Sequence, residues 1–164
     1  MIKLNIKCII RGFMKKLVAY FSVEYMATKK IAEELKEKLN ADIFEIVPLV
    51  SYTKADINWR NPVSRCNREF FAKKEVPVAS KVENMDEYDT IYVGFPIWYG
   101  CAPIVVNCFL KDYNLKGKKI YVFATSGGSG IGKTAQKLEP FTQGAEIVEA
   151  KKIDSIDELK DWIK

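Results

Sequence analysis

"KKLVAYFSVEYMATKKIAEELKEKLNADIFEIVP", Lys15 to Pro48, changes its hydrophobic period twice. Lys15 to Ser22 is a short apolar, aromatic-rich run that reads as a buried strand. From Thr28 to Asn40 the apolar residues Ile31, Leu35 and Leu39 fall at helical spacing, with Thr28 expected as the N-cap. Asp42 to Pro48 alternates Ile43, Glu45 and Val47 with Phe44 and Ile46 and stops at proline, as a strand would. Together these segments predict one βαβ unit.

Outward from that unit the alternation continues. Strands are expected at Thr90–Gly94, Lys118–Thr125 and Glu146–Glu149. Helices are expected at Pro103–Lys111, with proline in the first turn, at Ile131–Leu138 and at Ser155–Ile163. Five such β/α pairs predict a doubly wound, five-stranded parallel sheet between two helical layers, the three-layer α/β/α class. Ligands of such sheets bind beyond the carboxyl ends of the strands. Three loops therefore matter: Ser22–Thr28, Gly94–Pro103 and Thr125–Gly132. Val50 to Lys81 is polar and irregular, with a short helix expected at Ser64–Lys73; so long a connection in a compact domain usually has a function.

A chain of 164 residues, 48% hydrophobic and 29% charged, fits one soluble domain with one core. Its apolar runs fall far short of the roughly 20 residues that span a bilayer, so no membrane association and a cytoplasmic location are expected. The four cysteines, Cys8, Cys66, Cys101 and Cys108, show no C-x-x-C spacing, so no metal site or disulfide framework is indicated. There is no histidine, which removes the usual general base and the Ser-His-Asp and Cys-His mechanisms. No side chain is assigned a catalytic role, and any chemistry is expected from a cofactor. Net charge is +5; the first thirteen residues hold Lys3, Lys7 and Arg11 without an acid, which leaves +2 for Met14–Lys164. That is too weak a bias to indicate nucleic acid.

"GGSGIGKT", Gly127 to Thr134, fits the spacing of a phosphate-binding P-loop. Only about thirty residues follow it, room for one strand and one helix. A nucleotide hydrolase needs further strands after the loop for its magnesium-binding acid. A plain flexible turn is the other reading, but four glycines in six residues are costly to order, so a close backbone approach to something flat or charged is the more economical account.

Taken together, "LVAYFS", "TKKIAEEL", "YTKADINW", "KVENMDEYDTIYVGFPIWYGCAP" and "FATSGGSGIG" resemble the flavodoxin family, in particular short-chain members with a P-I-W-[WY]-G loop. The similarity runs from about Met14 to the C-terminus, and Met1–Phe13 is an extension outside it, with an edge strand or no structural role as alternatives. The resemblance implies strand order 2-1-3-4-5 and an FMN cofactor. It implies that Pro96, Ile97, Trp98, Tyr99 and Gly100 form a ring loop whose tryptophan lies against the flavin. Thr125, Ser126, Gly127, Gly128, Ser129 and Gly130 form the opposite loop, with backbone N–H groups at the pyrimidine edge. Lys133 becomes a surface side chain. The physical demands agree, because a flat ring with a polar edge wants an aromatic wall and exposed amides.

The chain departs from the family at the phosphate loop. The family reads roughly S-x-T-G-N-T; here "SVEYMAT" retains only Ser22 and Thr28, one residue too far apart, and no glycine. A carboxylate from Glu24 about 5 Å from a phosphate would repel it by about 3 kcal/mol at an effective dielectric near 20. The amides and dipole of the helix that follows contribute about 0.3–1 kcal/mol in favour, beside Lys29 and Lys30. Glu24 turned to solvent would leave FMN binding intact; turned inward it would favour a phosphate-free ligand or none.

The expected function is FMN-based electron transfer between redox partner proteins, a reductase and an electron acceptor, by a monomer or weak dimer. Trp98 and Tyr99 would disfavour a negatively charged reduced ring, and a peptide flip at Gly127 or Gly128 would bond its nitrogen. The alternatives are an NAD(P)H-dependent quinone-type reductase and a module that has lost FMN. Cys101 is expected to pack, with a redox influence as the other reading, and Cys108 to lie in the core.

Overall fold

The computed structural model describes residues 14–23 and 26–163; the expected edge strand within residues 1–13, and Glu24, lie outside these residues. Ten main elements follow in strict alternation: β1 (Lys15–Tyr20), α1 (Ala27–Leu39), β2 (Asp42–Glu45), α2 (Arg65–Ala72), β3 (Tyr88–Pro96), α3 (Ile104–Lys111), β4 (Lys119–Thr125), α4 (Thr134–Leu138), β5 (Glu146–Lys152) and α5 (Ile156–Trp162). All neighbouring strands are parallel, in the order β2-β1-β3-β4-β5. The fold is flavodoxin-like. The order reverses between β1 and β3, which opens a crevice beyond their C-terminal ends.

The strands divide their side chains between two cores. Leu17, Ala19 and Phe21 join Val105, Val106, Phe109 and Leu110 of α3 on one face. Val18 and Tyr20 join Ile31, Ala32 and Leu35 of α1 and Leu159 of α5 on the other. This is the period of two in the strand meeting the period of 3.6 in the helix. Each fully buried Leu or Phe side chain contributes about 1.5–3 kcal/mol.

The element boundaries shift for local reasons. β2 ends at Glu45 rather than Pro48 because the chain leaves β1 there. Ile46 N still donates to Tyr20 O at 2.7 Å, but Leu49 N then donates to Pro77 O and Ala79 N to Val47 O, each at 2.8 Å. Val47–Leu49 is thus tied to the far end of the long connection. β3 and β5 run longer than expected, and α4 starts late because Thr134 folds back, N–H and hydroxyl both donating to Ile131 O.

Thr28 is not the N-cap of α1. Met26 takes that place in a left-handed conformation, φ 51°, with no side-chain cap. Thr28 lies inside the first turn, 2% exposed, its Oγ1 2.8 Å from Thr125 Oγ1. At the other end of the chain α5 is capped by side chains: Ser155 Oγ accepts from Glu158 N at 3.2 Å, and Glu158 Oε2 from Asp154 N at 2.8 Å.

Candidate functional site

Beyond β3 the chain makes a tight hairpin. Trp98 N donates to Cys101 O at 2.9 Å and Cys101 N to Trp98 O at 3.0 Å, with Tyr99 and Gly100 at φ 54° and 69°. Two consecutive positive φ angles define a type I′ turn, which favours glycine at Gly100 and costs strain at Tyr99. The turn throws its two aromatics apart. Trp98 meets Phe21 and Tyr52 edge to face, with ring centroids at 5.6 and 5.4 Å. Tyr99 stacks on Phe70 of α2 at 4.4 Å. The two adjacent aromatics thus pack on different parts of the long connection, Trp98 on Tyr52 and Tyr99 on Phe70.

That connection closes one side of a cleft of about 500 Å³ over the C-terminal ends of β3 and β4. Ile57, Trp59 and Cys66 line it from the connection, Ile97, Trp98 and Tyr99 from the turn, and Ser126 to Ser129 from the glycine loop. The 50–81 segment therefore lies over the cleft as well as along the sheet edge. Sequence reasoning assigned no role to Ile57, Trp59 or Cys66. The available signal was "YTKADINW", which contains the first two.

The segment is fastened from beneath. Glu69, 6% exposed, accepts from Tyr52 OH at 2.5 Å and from Arg65 Nε at 2.6 Å. The Arg65 guanidinium lies over the Tyr52 ring, 4.1 Å from its centroid, and donates to Val50 O and Ser51 O. Burial, followed by the bond to Glu69, pushes the Tyr52 hydroxyl well above its ordinary pKa. Asn67 supports the rim: its Nδ2 donates to Trp59 O, Asn61 O and Ser64 Oγ, and its Oδ1 accepts from Tyr99 OH. Cys66 Sγ lies 3.4 Å from Tyr99 OH and 3.3 Å from Ser64 Oγ.

The glycine loop satisfies part of its own backbone. Ser126 N donates to Asp154 Oδ1 at 2.7 Å, and Ser126 Oγ accepts from Ser129 N at 2.8 Å and Gly128 N at 3.3 Å. Among the described residues, the N–H groups of Gly127 and Gly130 make no hydrogen bond. A Cβ at Gly127, Gly128 or Gly130 would meet nothing within 4 Å. The loop is thus held open with two free donors, which fits a flat ligand with a polar edge. The donors are fewer than a loop of free amides would offer, because Ser126 uses the others.

The remaining expected residues fall elsewhere. Pro96 ends β3 and Thr125 ends β4, paired in register, and Ile97 N donates to Thr125 O at 2.9 Å. Gly100 O accepts from Lys137 Nζ at 3.1 Å. Lys133 is exposed. Ser22 lines a second cavity, of about 360 Å³, together with Phe21, Met26, Lys29 and Tyr52. Its Oγ accepts from Lys29 N at 3.4 Å, which leaves its proton to donate. Thr28 does not present its hydroxyl to that cavity, because the buried contact with Thr125 holds it. Cys101 Sγ donates to Trp98 O at 3.3 Å and so braces the turn; burial raises its pKa, opposed by Lys137. Cys108 is half-buried and accepts from Val76 N at 3.4 Å, short of the full burial expected. Among the described residues no cluster of Cys, Asp or Glu could hold a metal, and no helix is long and apolar enough to cross a membrane.

A doubly wound sheet with an aromatic wall and a glycine loop facing each other across its switch-point crevice defines the flavodoxin-like α/β proteins. The family model described as Flavodoxin matches residues 15–164, and the chain belongs to that family. A candidate flavoprotein from Bacteroides eggerthii is 36% identical over 92% of this chain and 96% of its own, with a TM-score of 0.85. One from Bacteroides uniformis is 35% identical over 92% and 97%, also at 0.85. A flavoprotein from Lactobacillus acidophilus, solved in complex with FMN, is 22% identical over 93% and 100%, at 0.68. No curated protein matches the chain.

Proposed function

We propose that this protein binds FMN and carries electrons between a reductase and an acceptor protein. The observation that carries the reading is the cleft itself, lined by Trp98 and Tyr99 on one side and by the glycine loop with the free N–H of Gly127 on the other. Membership of the flavodoxin family and the FMN complex of the Lactobacillus relative support it. Bound there, FMN would supply reversible electron uptake. The chain's own part is to hold and surround the ring. Ile97, Trp98 and Tyr99 exclude water from one side, and the free amide of Gly127 is available to a polar edge. Lys29 stands beside the cavity at the start of α1, where a phosphate would find positive charge.

The test is the visible spectrum of purified protein before and after excess FMN is added and the unbound fraction removed. Flavin bands retained at one per chain support the reading; a colourless product sinks it. With FMN bound, Trp98→Ala should weaken affinity by about tenfold to a hundredfold, the usual worth of one aromatic face against a heterocycle. Unchanged affinity would place the ring elsewhere.

A second reading, a family member without the cofactor, is favoured by one observation: the Thr28 hydroxyl is committed to Thr125. The double change Glu24→Thr with Tyr25→Gly restores the family's loop composition and removes a negative charge. We expect FMN affinity to rise by about a hundredfold if that charge is what opposes the phosphate, as about 3 kcal/mol implies. Isothermal titration of both forms decides it, and equal affinities would clear the loop of blame.

A further inference from the structure

Positive charge is not spread evenly over this protein. Between Trp59 and Lys74 there are five basic residues and one acid, a net +4, while Met14–Lys164 as a whole carries only +2. The rest of that span is therefore net negative. The single acid, Glu69, is buried and bound to Arg65. Arg60, Arg68, Lys73 and Lys74 are exposed, and among the described residues none of them forms an ion pair.

The same segment exposes apolar surface. Phe71 is 75% exposed, Val63 68% and Trp59 65%. A groove of about 570 Å³ runs along α2, with Phe71 and Pro62 beside Arg68 and Lys74. Large exposed apolar side chains rimmed by charge mark an interaction surface. The face is also continuous with the cleft. Phe71 and Phe70 touch each other at 5.2 Å, Phe70 stacks on Tyr99, and Tyr99 lines the cleft wall.

We propose that this face, Trp59–Val63 with the outer side of α2, docks an acidic protein partner. Carboxylates of the partner would pair with Arg60, Arg68, Lys73 and Lys74, and an apolar side chain would enter the groove beside Phe71. Complementary charge of this kind raises the rate of encounter and fixes orientation, while the buried aromatic contact slows dissociation. Two other occupants fit less well. Nucleic acid wants an extended, concentrated basic face, and four free cations around exposed apolar side chains do not make one. A membrane surface would not fill a concave groove. The value of the face for electron transfer rests on the FMN reading, but docking itself needs no flavin.

The experiment uses the full chain without added FMN and, as probe, a synthetic peptide of repeated Glu-Glu-Leu, followed by amide chemical shifts in two-dimensional NMR. Shifts confined to residues 59–74 and Tyr99 are expected. The dissociation constant should rise by about tenfold or more between 50 and 300 mM salt, because exposed charges are screened. Arg68→Glu with Lys74→Glu should weaken binding by at least about tenfold, whereas Lys116→Glu with Lys119→Glu should not. Phe71→Ser, at a position too exposed to endanger folding, should weaken it at high salt as well. The proposal is overturned if charge reversal on α2 leaves the dissociation constant unchanged. It is equally overturned if duplex DNA or phosphatidylglycerol vesicles bind this face more tightly than the peptide. Either failure leaves the spectroscopic FMN test untouched, so the two readings fail separately.

Discussion

Replacing Gly94 with alanine should remove about 3 kcal/mol or more of stability. Gly94 lies in the middle strand, paired in register with Tyr20 of β1 and Phe123 of β4. A Cβ at this position would stand 2.0 Å from Phe123 Cζ and 2.2 Å from Cε2, inside the ring's van der Waals surface. The ring cannot easily withdraw, because Phe123 is fully buried in the core shared with α1 and α5. Interiors are close-packed, so overlap is relieved only by moving the strand or the ring, and both movements break other contacts. The strand concerned leads into Pro96, Ile97 and Trp98, so the cleft should deform with it. Urea unfolding of Gly94→Ala, of Phe123→Leu and of the double variant measures the coupling. The double variant should lose less than the sum of the two single changes. An unfolding free energy for Gly94→Ala within about 1 kcal/mol of the parent would show that the ring has room to swing aside.

The second large effect is expected at Glu69, far from the sheet. Glu69→Ala strips Tyr52 and Arg65 of their shared acceptor. The two side chains of the ion pair are only 17% and 8% exposed, so the arginine is left with an uncompensated charge in poor contact with water. Breaking such a pair by removing one partner costs about 3 kcal/mol, far more than a surface pair contributes. For a chain of this size that is a fall in Tm on the order of 10 °C. The consequence should be local first. Arg65 also holds Val50 O and Ser51 O, and Tyr52 packs on Trp98, so segment 50–81 should loosen over the cleft before the sheet yields. Limited proteolysis should then cut within 50–81 while the core resists, and FMN affinity should fall alongside. A Tm within about 2 °C of the parent would mean that solvent screens the pair.

These two residues illustrate different limits on what a sequence reveals. Gly94 stands in a strand whose apolar run was evident, yet nothing local says that a ring from the next strand lies over it. That fact belongs to the register between β3 and β4. Glu69 reads as one more charge on a short helix in a polar connection. Its partners Tyr52 and Arg65 come within reach only because the chain leaves β2 at Glu45 and returns through the bridge at Pro48 and Val78. Thr28 is the plainest misreading. A threonine ahead of an apolar repeat is a normal N-cap signal, but Met26 took the cap in a left-handed turn and Thr28 went inward to Thr125, 97 residues away.

What the sequence determined by itself is the part governed by periodicity and turn chemistry. The alternation of strand and helix, the parallel sheet, the loops that matter and the aromatic and glycine motifs at their tips are all local. Short-range sterics and side-chain spacing are enough to specify them. Tertiary structure alone decided how those tips are used. It turned Trp98 toward Phe21 and Tyr99 toward α2, left Gly127 and Gly130 as free donors while Ser126 took the rest, and folded residues 50–81 over the cleft as its third wall. Each outcome depends on contacts between residues distant in the chain, where packing and hydrogen-bond satisfaction outweigh local preference.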